Sequence, residues 1–479
     1  MFSTYKEDRF FLSKVLPALI VMAAIYGGLV ALSVPINAVV LCILLMVAFC
    51  LLRIPVAVAI VLAALLGGLH AGMDFSAVLA ALNDNLLSGA QVGVTYVMVG
   101  AFAVALARSG LLEWWSQKIA QRLNLKGLQV QKQMKWTLFI IFIVASLLSQ
   151  NLVPVHIAFI PVLIPPLLGV MNKLNIDRRA VVCILACCMS ASYLLLPFGF
   201  GAIYLNDILL SNFNSIGAGL GLNGTADMAP KAMFWPVMGI IAGMLFGVFV
   251  SYRKPRVYKI VETSETSLNE VVKIKWQQLL FTLLAIVATV LCQVFFDSLF
   301  IGALIGFVIL GFSGIYRWQE QDDVFTQGVR LMAEIAIIIT IASGFAGVLN
   351  ATGDIEPLVK SATAMFGDSK VLGVFTMLVV GLFITIGFGD SFASVPILAP
   401  IYIPLSVALG LSPLATMSML GAAAALGDAG SPASTITLGA TAGLNADGQH
   451  NHVKDSVIPA FLHANVGMLL FAFVAILYM

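Results

Sequence analysis

Long apolar runs separated by short polar joints fill most of this 479-residue chain. Runs of about 20 apolar residues, enough to cross a ~30 Å hydrocarbon core as a helix, fall at 15–32, 34–52, 54–71, 91–109, 233–252, 277–295, 297–316, 328–349 and 457–477. None alternates with the period of a barrel strand. A backbone in lipid must satisfy its own hydrogen bonds, so the predicted elements are helices. Four segments depart from the simple pattern. Residues 136–171 and 373–411 stay apolar for more than 35 residues, which as straight helix would exceed about 50 Å. Both are interrupted midway, at "SQNLVP" (149–154) and "GFGDS" (387–391). Residues 180–211 and 413–445 are also interrupted, at "SYLLLPFGFG" (192–201) and "GDAGSPAS" (427–434).

Positive charge decides how these segments fold, because Lys and Arg collect on the cytoplasmic side. If 136–171 and 373–411 each enter and return on one side while the other two broken segments cross, the chain makes about 11 crossings with its N-terminus cytoplasmic. Of the 25 basic residues, only Lys231, Lys360 and Lys370 then fall outside. If 136–171 crossed instead, Lys173, Arg178 and Arg179 would face the wrong side. The expected fold is therefore an all-α polytopic membrane protein with two re-entrant hairpins and broken helices near the midplane.

Composition agrees. The chain is 61% hydrophobic and 10% charged, with a mean hydropathy of +1.03, whereas soluble domains carry about 25% charged residues. The first run is too long for a signal peptide's apolar region and lacks a small-residue cleavage site, so it is kept as a span. Cys42, Cys50, Cys183, Cys187, Cys188 and Cys292 all lie in apolar runs without metal-binding spacing and read as small buried hydrophobes. His450 and His452 form an HxH pair in a polar turn, a weak metal motif at best.

The two halves resemble each other in order. "IPVLIPPLLGV" corresponds to "LAPIYIPLSVA", with Pro161 over Pro400 and Pro165 over Pro404. In that register Asn151 lies over Asp390, Met189 over Asp428 and Gln91 over Glu334. The first repeat starts outside and the second inside, so their topologies are inverted, a pattern of secondary transporters whose site lies where broken helices meet. The predicted organisation is an N-terminal helix in 1–33, repeat 1 over 34–252 (hairpin 136–171, broken helix 180–211), a cytoplasmic linker at 253–276, and repeat 2 over 277–479 (hairpin 373–411, broken helix 413–445).

The breaks carry the candidate chemistry. A helix interrupted in lipid frees backbone groups that are tolerated only in protein or beside a wet cavity. An aspartate at membrane depth costs roughly 2.5–3.5 kcal/mol and marks an ion pathway by default. Asp390, Ser391 and Ser394 lie at the second hairpin's tip, and Asp428, Ser431, Ser434, Thr435 and Thr437 in the second broken crossing. These hard oxygen donors suit Na⁺ or a proton rather than a soft metal. They could also simply cap half-helices. The first half offers neutral Ser149, Gln150, Asn151, Ser190 and Ser192, together with His156, as candidates for solute. Glu334 is a secondary candidate that could instead pair with Arg330 one turn away. Asp207 reads as structural, near the outer boundary.

The run "GDAGSPASTITLGATAGLNADGQHNHVKDSVIPAFLHANVG", preceded by "GFGDSFASVPILAPIYIPL", resembles the NhaC-type Na⁺/H⁺ antiporter family of the ion-transporter superfamily, closest to the branch proposed to carry amino acids. The resemblance implies a homodimer and elevator-like movement of a transport domain against a scaffold. Relatives often carry an aspartate after the SPxS serine where this chain has Thr435, which bears on the ion and its stoichiometry. The expected function is secondary active transport of a small polar solute, an amino acid with histidine among the candidates, coupled to Na⁺ or H⁺ in a bacterial inner membrane. The alternatives are Na⁺/H⁺ antiport without organic solute and, remotely, a GxGD-type intramembrane aspartyl protease suggested by "GFGD". Neither an enzyme cofactor nor a nucleic-acid partner is expected.

Overall fold

The computed structural model describes residues 15–111, 114, 118, 131–151, 160, 163–259, 275–367 and 369–479, with residues 131–133 and 388 by backbone alone. The described residues contain helices and no strand. The first half carries α1 (Leu16–Ala31), α2 (Ala38–Leu51), α3 (Val56–His70), α4 (Phe75–Asp84), α5 (Leu86–Arg108), α6 (Gln131–Asn151), α7 (Pro165–Lys173) and α8 (Arg178–Leu195). A helical run at 200–220, α9, follows, and then α10 (Met228–Ser251). The second half carries α11 (Trp276–Phe296), α12 (Leu299–Gly311), α13 (Gln321–Ala351), α14 (Ile355–Phe366), α15 (Lys370–Phe388), α16 (Ser391–Ala408), α17 (Pro413–Ala425), α18 (Thr435–Leu444) and α19 (His452–Tyr478). Among the described residues, nine helices are long and apolar enough to cross a membrane, and five more are shorter apolar helices of 10–17 residues.

Short polar side chains set many of the starts by accepting from the first turn's free N–H groups. Asn37 caps α2, Asp177 caps α8, Ser369 caps α15, Ser412 caps α17 and Ser434 caps α18. Pro165 and Pro413 occupy first-turn positions, where a missing N–H costs nothing. Burial separates inner from outer helices. The windows of α8 and α16 are each 83% buried, against 28% for α11, and α1 has no buried residue.

Three arrangements position the site. First, α15 and α16 run antiparallel. Lys370 Nζ donates to the Gly410 carbonyl at the open end (2.9 Å), and the Tyr402 hydroxyl donates to the Met377 carbonyl midway (2.7 Å). The chain reverses at Gly389–Asp390, inside the interruption expected there. Second, α5 and α13 cross almost backbone to backbone. A Cβ on Gly89 would stand 2.6 Å from the Ile339 carbonyl oxygen, one on Gly100 would stand 2.6 Å from that of Gly328, and one on Gly328 would strike Ala101. Third, the buried Arg178 guanidinium holds Asp447 through two parallel bonds (2.7 and 2.5 Å). It also donates to the Leu444 carbonyl (2.6 Å) and to Asn172 Oδ1 (2.9 Å). This network ties the starts of α8 and the end of α18 together.

The first broken crossing differs from its expected register. The helix α8 runs unbroken through Met189 to Leu195, and the chain breaks at 196–199. Pro197 and Gly199 (φ 63°) are the residues that stop a helix, whereas Ser192 remains helical by donating to the Met189 carbonyl (2.9 Å). Met189 therefore lies within a helix, whereas Asp428 lies in a break. The helical run after this break also extends past 211, to 220, and its stretch Ile203–Leu210 is π-helix.

Candidate functional site

Each break is sealed by side chains at the end of a neighbouring helix of its own half, α6 in the first and α15 in the second. In the second half the Thr385 hydroxyl donates to the Leu426 carbonyl, which α17 leaves free, and Ser431 Oγ donates to the Ile386 carbonyl (3.0 Å). Gly389 turns here at φ 65°, and a Cβ on it would stand 2.6 Å from Ser431 Oγ, so both conformation and space require glycine. In the first half the Asn151 side-chain amide donates to the carbonyls of Phe198 (2.8 Å) and Leu196 (3.1 Å). Gln293 of α11 completes that seal by accepting from the Gly199 N–H (2.8 Å).

Asp390 is the N-cap of α16, half-buried, with Oδ1 accepting from the Ala393 N–H (2.9 Å). Ser394 returns a bond from its hydroxyl to the Asp390 carbonyl (2.5 Å). Asp428 is buried and begins the turn within the second break. Its Oδ1 accepts from Ser434 Oγ (2.9 Å) and its Oδ2 from the Tyr193 hydroxyl (2.8 Å). That hydroxyl also lies 2.8 Å from Ser391 Oγ. With Tyr193 donating to the carboxylate, Ser391 is the donor to Tyr193. A side chain of the first half thus bridges the broken crossing and the hairpin of the second.

The two acids line one cavity of about 30 Å³ together with Gln150, Gly389 and Thr435, walled by Tyr96, Tyr193, Phe200 and Phe392. This places the C-terminal end of α6 against the second half's carboxylates. The other expected donors are spent differently. Ser431 and Thr437 bond backbone carbonyls, Thr437 that of Ser431 (2.6 Å). Ser149 donates to the Ser146 carbonyl (2.9 Å), and Ser190 is buried with no hydrogen-bond partner among the described residues. Of the neutral first-half set, Gln150 alone among the described members lines the cavity. His156 lies outside the described residues. Glu334 is exposed on α13 and lines neither this cavity nor the second one described below, and no ion pair joins it to Arg330. His450 and His452 bond Ser456, Thr441 and the Pro432 carbonyl rather than converging on each other.

The sequence reading missed the aromatic wall. Phe392 packs against Tyr96, Tyr193, Tyr204 and Phe200, with ring centroids 5.3–6.3 Å apart. Tyr193 stands four residues before Pro197, so its place beside a helix break was readable, but its hydroxyl's reach into the other half was not.

The sequence profile of the Na⁺/H⁺ antiporter family matches residues 186–476, and a second Na⁺-H⁺ antiporter family profile matches residues 37–123. The chain belongs to the Na⁺/H⁺ antiporter family. Among its relatives, an uncharacterized membrane protein of Vibrio parahaemolyticus is 45% identical over 92% of this chain and 99% of its own length. YuiF of Bacillus subtilis, whose name proposes amino acid transport, is 41% identical over the same shares. The fold is similar to those of the Alcanivorax borkumensis YdaH transporter (TM-score 0.56, 17% identity, covering 83% of this chain and 87% of that one) and Neisseria gonorrhoeae MtrF (TM-score 0.55, 13% identity, 83% of each). MtrF is described with a class of antimetabolite efflux pumps. This antiporter-family chain is accordingly a multi-pass membrane transporter and not an enzyme, and its family implies Na⁺ or H⁺ as the coupling ion. The protease reading of "GFGD" falls with that assignment.

Proposed function

We propose that the protein is a secondary active transporter of a bacterial inner membrane, moving an amino acid or similar small polar solute in exchange or symport with Na⁺ or H⁺. The observation that carries this reading is the shared cavity of Asp390, Asp428 and Gln150 at two facing helix breaks. Carboxylates, hydroxyls and freed carbonyls give the hard oxygen set that a small cation or a proton takes up. The paired backbone of α5 and α13, with corresponding positions of the two halves crossing antiparallel, supports an inverted-repeat scaffold. The hairpins and broken crossings would then move against it as an elevator in a homodimer, with the N-terminus cytoplasmic.

Reconstituted protein should take up labelled amino acids, histidine included, only when a Na⁺ or proton gradient is imposed. Asp390→Asn and Asp428→Asn should each remove the gradient's effect. Retained, equally ion-dependent uptake in both variants would reject the loading role. Antiport without organic solute is the second reading, and one observation favours it. The cavity beside the acids has room for an ion with a water or two, not for an amino acid. Na⁺/H⁺ exchange with no uptake across the solute panel would select that reading.

A further inference from the structure

If the acid cavity holds only the ion, solute needs a place of its own, and a second cavity lies directly beyond Phe392. It has a volume of about 70 Å³ and is lined by Ser88 of α5, Ser343 of α13, and Asp207, Ser211, Asn212 and Ser215 of α9. Phe392 lines both cavities and forms their common wall. Asp207 is exposed into this cleft and has no hydrogen bond or ion pair within the described residues. It is therefore not held as a structural acid would be. The π-helical stretch Ile203–Leu210 carries it, and such widened turns recur at functional sites. Among the described residues, no Lys or Arg lines the cleft.

We propose that this cleft is the solute-binding vestibule and takes a zwitterion. Asp207 receives the solute's ammonium group, the Ser211, Asn212 and Ser215 side chains hydrogen-bond its carboxylate, and Phe392 separates it from the ion. The inference rests on the solute-carrier reading above and extends it to a binding site and a charge rule. A carboxylate without a counter-cation attracts a positive head group and repels an added negative one. By charge this cleft admits neutral and cationic amino acids and excludes dicarboxylic ones, and it must widen to seat them. The cleft lies between α5 and α13 on one side and α9 and α16 on the other. Relative movement of those pairs would open and close it.

The test is uptake kinetics in proteoliposomes with labelled neutral, cationic and dicarboxylic amino acids, comparing the wild type with Asp207→Asn. The expected result is a KM for a neutral substrate raised about tenfold or more, with kcat changed less than twofold, and a relaxed exclusion of dicarboxylic substrates. In parallel, a Ser88→Cys variant, at a lining position given no solute contact, should react with a membrane-impermeant thiol reagent, and the transported amino acid should slow that reaction. An unchanged KM, or a fall in kcat alone, would overturn the assignment, as would labelling of Ser88→Cys that solute does not slow. Absence of uptake in the wild type would instead remove the solute-carrier reading itself, and this inference with it.

Discussion

At the scale of single residues, the acid cavity is governed by which hydroxyls are free to face a carboxylate. Tyr193 is the clearest case, because its one hydroxyl serves Asp428 and meets Ser391. A hydrogen bond to a charged group contributes about 1.5–3 kcal/mol, and this one stabilises the empty carboxylate, so Tyr193→Phe, which keeps the ring, should lower the half-saturating concentration of a coupling proton roughly ten- to hundredfold. Ion titration of transport checks this, and an unchanged midpoint would reduce Tyr193 to packing. The sequence showed the two aspartates because a charge stands out in an apolar run. It could not separate Gln150, which lines the cavity, from Ser149 and Ser192, which bond their own helices. Those side chains differ only in direction, and direction is set by where each break falls. His450 lies outside the spans, buried against Ser456, and burial lowers its pKa from 6.5 to about 4. The folded protein keeps it neutral where the unfolded chain would take a proton. Stability should therefore fall as pH drops from about 6.5 towards 4 and level off below. Thermal unfolding in detergent across that window should show a shallower acid limb for His450→Gln than for the wild type.

At the scale of elements, the long helices and both interruptions of the second half were legible, because apolar length and the cluster of Gly, Asp, Ser and Pro point the same way. The short helices α4 and α14 were not, since ten to twelve amphipathic residues leave little periodic signal. The first break lay within its predicted stretch, yet its register slipped, because serines at 190 and 192 look like breakers while behaving as helix residues. Helix breaks are stable here only because side chains from elsewhere finish their hydrogen bonding. Gln293 reaches from a mostly exposed helix to the Gly199 backbone. Gln293→Leu leaves that N–H buried without its acceptor and should cost about 1–3 kcal/mol. Thermal denaturation in detergent reads this directly, and an unchanged midpoint would mean that Gly199 finds another acceptor.

At the scale of the whole molecule, basic-residue counting supplied an expected orientation, and the weak internal similarity supplied an order of elements. The meeting of the halves was invisible in either signal, since it depends on contacts across hundreds of positions such as Tyr193 with Asp428, Arg178 with Asp447, and Ala38 N–H with Asp354 (2.6 Å). The glycine crossing of α5 and α13 has a further consequence. In lipid, apolar side chains gain nothing by leaving acyl tails for one another, so helices associate through close van der Waals fit, and glycines on both faces of a seam allow the closest approach. Two polypeptides made separately, one ending and one beginning within 260–274, should consequently find each other in the bilayer and co-purify as a complete carrier. Alanine at Gly328 should keep them strangers.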